Sequence, residues 1–273
     1  MIFLYFLAFL VTVIAIFQDL KEREVANWLN FSFIAVALGY RAFYSVFKGN
    51  WNFFIYGALG FGFMFVLAYV LYYSRAFAGG DAKLLMGLGV VLPFTSVKGV
   101  LFLGIVFIFL VFLAGLVWSL LYSVYFIERN WKKFKEELKK GWKVHRWIVS
   151  LGIGIAVLSI VVGVGMLWMF FFLLSLLWVY VKALDGAMKF ERSAKELREG
   201  DWIEEDIRLV GGRVIRKSVH GLSLEDIMRI KKYGKGKKVL IKEGIPFTPA
   251  FLGALIVMAL FLEVLLSYLS FLF

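Results

Sequence analysis

The run Phe77-Ala78-Gly79-Gly80-Asp81-Ala82-Lys83-Leu84-Leu85 puts a carboxylate directly after paired glycines, where one long apolar stretch ends and another begins. An ionised acid in hydrocarbon is costly, so an acid at membrane depth pairs, protonates or faces water. A second acid, Asp19, closes the first apolar stretch, Ile2 to Gln18. Whether the two acids meet depends on how the chain crosses the bilayer.

That the chain does cross a bilayer follows from composition. With 62% hydrophobic residues, 19% aromatic residues and a mean hydropathy of +0.85 over 273 residues, it exceeds the apolar share of soluble domains, which is roughly one half. The sequence reads as an all-α polytopic membrane protein. Cysteine is absent, which excludes disulfides, thiol nucleophiles and cysteine-bound zinc. His145 and His220 are the only imidazoles and are read as surface residues. No HExxH motif occurs. Neither a metal nor another cofactor is expected. The apolar run from Ile2 to Phe17 lacks a basic leading segment and a small-residue cleavage site, so it is expected to stay as a first span.

A hydrocarbon core of roughly 30 Å needs about 20 helical residues. On that scale the spans are Ile2 to Gln18, Trp28 to Phe47, Trp51 to Ser74, Asp81 to about Val97 with Pro93 near its outer end, and Gly99 to Ile127. The apolar run Trp147 to Tyr180 would extend about 50 Å as one helix. It reads instead as a hairpin of two short spans turning near Gly163-Val164-Gly165. A last span runs from about Pro246 to Phe273. This makes about six core helices plus the extra hairpin, about eight spans in all. The expected organisation is a membrane domain at 1–128 carrying both acids, a basic segment at 129–146, the hairpin at 147–181, a small soluble α+β insertion at 182–245, and the final helix at 246–273. The basic segment fits either an amphipathic helix on the bilayer surface or an extension of the fifth span. In the insertion, Ser223 with Asp226 marks a helix start and Gly234 a stop, while Arg213 to Lys217 and Lys237 to Lys242 are candidate strands.

Lys and Arg are biased to the cytoplasmic side. With the N-terminus outside, the inner segments hold all of the 31 basic residues except Arg41, Lys48 and Lys98. That orientation puts Asp19 and Asp81 at the cytoplasmic face of the cell membrane. The net charge of +12 is then explained by topology and by anionic headgroups, so no nucleic-acid partner is expected.

Each acid has an ordinary reading: Asp81 as the N-terminal cap of its helix, Asp19 as part of a solvated charged turn. Together they suggest more, because two carboxyl groups sharing a proton can activate water with one member and polarise a carbonyl with the other. A competing reading is a transporter or channel that relays protons or ions through Asp19, Asp81 and Glu263. Against it, two of its acids sit at one face rather than along a path.

Asp19 followed by Asn27-Trp28 at the opening of span two, with Gly80-Asp81-Ala82-Lys83-Leu84-Leu85 opening span four, resembles the type IV prepilin peptidase family of GxGD intramembrane aspartyl proteases. The tail Ile241-Lys242-Glu243-Gly244-Ile245-Pro246-Phe247-Thr248-Pro249 is similar to its archaeal branch, the preflagellin (archaellin) peptidases. The resemblance implies that Asp19 and Asp81 are the catalytic pair, supported by Gly79, Gly80, Lys83 and Asn27. It also implies that no metal is needed, and that the partners are preflagellin or pilin-like precursors with a short basic leader ahead of a hydrophobic helix. Ala78 stands where the pattern has its first glycine, and Ala26 where relatives often have proline. Lys83 turns away from Asp81 on a helix and is expected at phosphate headgroups. Glu22 and Glu24 read either as attractors of leader lysines or as plain loop solvation. A presenilin-like or signal-peptide-peptidase-like enzyme would carry a tyrosine beside its first aspartate and a Pro-Ala-Leu element; Thr248-Pro249-Ala250-Phe251 approaches the latter only loosely.

Overall fold

The computed structural model describes the chain except residues 164–166, 211–213, 219–220, 235, 237, 243 and 273, and leaves the side chains of 167–168, 262–266 and 268–272 undescribed. The elements are α1 (Ile2–Glu22), α2 (Asn27–Lys48), α3 (Asn52–Tyr73), α4 (Gly79–Val91), α5 (Val97–Arg129), α6 (Trp131–Val161), α7 (Leu167–Ala187), β1 (Lys189–Ser193), β2 (Trp202–Ile203), β3 (Ile207–Arg208), β4 (Val214–Ile215), α8 (Leu224–Tyr233), β5 (Lys238–Lys242) and α9 (Thr248–Leu272). Among the described residues, α1, α2, α3, α5, α6 and α7 are long and apolar enough to cross a membrane. The chain is therefore a multi-pass helical membrane protein with a small α/β region. It divides into two compact units, one made of Met1–Leu120 with Ile245–Phe273, the other of Leu121–Gly244.

In the first unit α4 packs against α1, α2 and α3. Its 13 residues rise only about 20 Å, well short of a bilayer core. It ends at Val91 rather than near Val97 because Leu92 precedes Pro93 and adopts the extended backbone (φ −55°, ψ 146°) that a following proline favours. A helix this short survives by being buried all round: Leu84, Leu85, Leu88, Val90 and Val91 are wholly enclosed. On the α3 side the backbones nearly touch, for a Cβ on Gly60 would lie 2.4 Å from the Gly89 carbonyl oxygen.

The carbonyls that close α4 have no following helical amides to pair with, and in hydrocarbon they need other donors; Leu92 O takes one from the Phe94 N–H at 2.9 Å. Arg41 of α2 supplies further donors. Its guanidinium, fully buried, donates from Nε to Val90 O at 2.6 Å and from Nη2 to Leu92 O at 2.7 Å, and from Nη1 to Phe53 O at 2.6 Å. It also lies over the Phe53 ring, 4.5 Å from the centroid. The cation thus meets the negative end of the helix dipole. Gly57 leaves the room for it, since a Cβ there would come within 2.3 Å of Arg41 Cδ.

In the second unit α6 and α7 form the hairpin. Of the expected turn, Gly163 has φ +73°, while Val164 and Gly165 lie outside the described residues. The basic segment is neither a separate surface helix nor an extension of the fifth span. The chain breaks at Asn130, and from Trp131 one helix carries the lysines and then the apolar leg without interruption to Val161. The small α/β part is a three-stranded antiparallel sheet in the order β1-β5-β2, with a separate pair β3-β4. Helix α8 opens on the expected capping box, Ser223 Oγ accepting from the Asp226 amide at 3.1 Å. Its core is Leu209, Ile215, Leu222, Ile227, Ile230, Val239 and Ile241 with their neighbours. Lys189 ties the sheet to the end of α7, with Nζ 3.2 Å from Asp185 Oδ2 and 2.8 Å from Glu204 Oε1.

Two consequences are measurable. Arg41→Met strands the carbonyls at the end of α4, and is expected to destabilise the detergent-solubilised protein by about 3 kcal/mol; Gly57→Ala should lower the thermal midpoint through the same contact. In the second unit, the hydrogen bond from Lys189 holds the Glu204 carboxyl below the usual carboxylate range. A carboxyl shifted down stabilises the fold above its ordinary pKa and loses that contribution as pH falls through the shifted one. Hydrogen-exchange protection of β5 should therefore weaken with acidification, and Glu204→Gln should flatten that dependence.

Candidate active site

Asp19 lies in the last turn of α1 and Asp81 in the first turn of α4, both buried. α1 and α4 pack together, and Asp81 lies within reach of the charge of Asp19. The packed helices α1 and α4 thus carry two acids that α2 and α3 separate in the sequence.

Asp81 is the third residue of α4, and its Oδ2 accepts the Ala78 N–H at 3.3 Å. Capping and facing Asp19 are therefore compatible roles. Gly80 is where the turn between α1 and α2 presses in: a Cβ there would sit 3.0 Å from Val25 Cβ and 3.2 Å from Val25 N. Gly79 is different, with only Tyr72 at 3.8 Å. Asn30, fully buried on α2, reaches the Gly80 carbonyl with its Nδ2 at 3.5 Å. Lys83 donates its ammonium to Asn27 Oδ1 and lies 5.8 Å from the Phe31 ring centroid, which joins the start of α4 to the start of α2. Ala26 donates its N–H to Gln18 Oε1 at 2.9 Å. A proline at that position could not make this bond. Glu22 and Glu24 are exposed on the same turn, Glu22 in a loose 4.0 Å pair with Lys21.

The residue that sequence reasoning missed is Thr248, the first of α9. Asp19 Oδ2 accepts two hydrogen bonds from it, one from the amide at 3.2 Å and one from Oγ1 at 2.8 Å. The approach to Thr248 is held firmly. Trp118 donates Nε1–H to Pro246 O at 2.7 Å, and Phe247 joins an aromatic cluster, its centroid 5.2 Å from Phe77 and 5.8 Å from Phe251. Phe77 belongs to the loop that leads into α4, so one apolar cluster aligns both chain segments that carry the site. The available signal was a lone hydroxyl entering an apolar span behind Pro246; the sequence reading quoted it within two motifs and gave it no role of its own.

Among the described residues no group of three His, Asp or Glu side chains is arranged to hold a metal ion. His145 meets the Trp178 ring edge-on at 6.4 Å, while His220 and the side chain of Glu263 lie outside the described residues. What the site offers is two enclosed carboxyl groups, one held by fixed donors, an arrangement suited to moving protons at a bound carbonyl.

Residues 5–120, which contain both acids and the Gly79-Gly80-Asp81 turn, match the type IV leader peptidase family. A preflagellin peptidase of Methanococcus voltae is 30% identical over 89 residues, an alignment that spans 33% of this chain and 38% of the length of that relative. The leader peptidase match ends before α6, so the hairpin and the small sheet lie outside it.

The glycines of this turn separate by substitution. Gly80→Ala pushes a methyl group onto Val25 and its backbone, and is expected to destabilise the protein by about 1 to 3 kcal/mol. Gly79→Ala has room and should leave thermal unfolding in detergent close to wild type.

Proposed function

We propose that this protein is a membrane aspartyl endopeptidase that removes the short basic leader from preflagellin or type IV pilin-like precursors at the cytoplasmic face. The observation that carries the proposal is that Asp19 and Asp81 are both buried, on helices that pack together, with Asp81 within reach of the charge of Asp19, inside the stretch that matches the leader peptidase family. The preflagellin peptidase relative supports the substrate class.

In the reaction, one carboxylate takes a proton from a water molecule as its oxygen attacks the carbonyl carbon of the scissile peptide bond. The other, protonated, donates its proton to the carbonyl oxygen, giving a neutral tetrahedral intermediate. Collapse of the intermediate breaks the C–N bond, with a proton delivered to the leaving amine, and the pair returns to its shared-proton state. Holding two acids away from bulk water keeps this exchange between fixed partners and strengthens their coupling.

The basic leader stays in the cytoplasm while the following apolar helix lies against the spans, so the junction reaches the inner ends of α1 and α4. The Lys and Arg distribution supports an N-terminus outside and this face inside. Glu22 and Glu24, exposed beside Asp19, supply negative charge to attract leader lysines at short range. The lysines of α6 face anionic headgroups.

Incubating the detergent-solubilised protein with a preflagellin that carries a Lys-Gly junction tests the proposal. The wild type should cut after the leader, unaffected by chelators, and Asp19→Asn or Asp81→Asn should each lower the rate by about a thousandfold. Normal cutting by either variant would refute the dyad, and ion flux through liposomes without cleavage would favour a transporter instead.

A further inference from the structure

The two donors from Thr248 converge on one oxygen of Asp19, and this convergence restricts what that oxygen can do. A backbone N–H only donates, so at 3.2 Å it requires Oδ2 to be an acceptor. The hydroxyl at 2.8 Å then has one useful orientation, with its hydrogen also toward Oδ2. A proton on Oδ2 would point into both donors. Donors of this kind favour a carboxylate, and the start of α9 adds the positive end of its helix dipole.

We propose that Thr248 is a positioning residue for the reaction described above. It holds Asp19 as the member of the pair that takes the proton from water, with Oδ2 fixed by the two Thr248 donors. Asp81, which among the described residues accepts a hydrogen bond from the amide of Ala78 at 3.3 Å, is then the member that carries the shared proton and delivers it to the carbonyl oxygen. The inference rests on the aspartyl peptidase reading and deepens it by separating the two roles.

The surroundings of Thr248 are built for such a task. It is fully enclosed, so water does not replace its hydroxyl if the bond is lost. The segment before it is pinned from two directions, by Trp118 on Pro246 O and by Phe247 in the aromatic cluster. Gly115 accommodates Phe247, since a Cβ there would fall 2.4 Å from Phe247 Cε2. Pro249 follows in the first turn of α9, where proline costs no helical hydrogen bond. The amide and hydroxyl of Thr248 therefore reach Asp19 from a rigid support, 229 residues away in the chain.

Three variants of the full chain test this in detergent with the same preflagellin: Thr248→Val, Thr248→Ser, and Asp19→Asn as the inactive reference. Valine keeps the shape and the amide but removes the hydroxyl, while serine restores the hydroxyl without the methyl. Loss of one charge-assisted hydrogen bond should lower kcat of Thr248→Val by about tenfold to a hundredfold with KM within about twofold. Thr248→Ser should stay within about threefold of wild type, and both variants should elute and melt as folded protein. Wild-type kcat in Thr248→Val overturns the role, as does an equal loss in Thr248→Ser or a loss confined to KM. If Thr248→Val fails to fold, Thr248→Ala, which also lacks the hydroxyl, takes its place, and wild-type kcat in that variant overturns the role. Wild-type protein that does not cut at all defeats the peptidase reading itself, which separates the two failures.

Discussion

The first unit depends on a cation with no carboxylate beside it in the described structure. The guanidinium of Arg41 is satisfied by backbone carbonyls at the end of α4 and by the carbonyl and ring of Phe53. A helix of 13 residues cannot reach across a bilayer, and the buried end of α4 needs donors beyond the Phe94 N–H on Leu92 O. Arg41 supplies them, and in doing so sets the depth at which α4 stops. Since a helix is rigid, fixing one end fixes the other, and the other end carries Asp81. The contact that stabilises the fold on one side therefore determines where the acid stands on the opposite side.

The site is assembled from short-range constraints on four chain segments. Val25 on Gly80 sets how closely the first turn approaches α4, Asn27 and Lys83 join the starts of α2 and α4, and Thr248 brings the start of α9 onto Asp19. The aromatic cluster of Phe77, Phe247 and Phe251 adds nonpolar burial that does not compete with the polar bonds. Polar contacts decide orientation here, and apolar ones decide proximity. The departures from the family pattern fit the same scheme: Ala78 still supplies its amide to Asp81, and Ala26 gains a bond to Gln18 that proline would forbid.

The second unit follows different rules. Its apolar hairpin and small sheet lie beyond the stretch that matches the leader peptidase family. The lysine-rich start of α6 is continuous with the apolar leg because nothing between His145 and Trp147 interrupts a helix. A sequence read in blocks of polarity separates them, since composition changes there while backbone propensity does not. The short strands β2 and β3, two residues each, carry too little periodicity to be seen without their partners.

The membrane class, the placement of most helices, and the position of Asp19 and Asp81 at helix ends were legible in the amino-acid sequence, because apolar length and a carboxylate at an apolar boundary are local properties. So was the early weakness of the fourth span, through Pro93. The roles of Arg41, Asn30, Val25 and Thr248 were not legible. Each depends on a partner tens to hundreds of residues away, and nothing in its immediate neighbours indicates which carbonyl, glycine or carboxylate it will meet. Only the packing of α1, α2, α4 and α9 makes those meetings, because a hydrogen bond or a close contact is decided by distance in space and not along the chain.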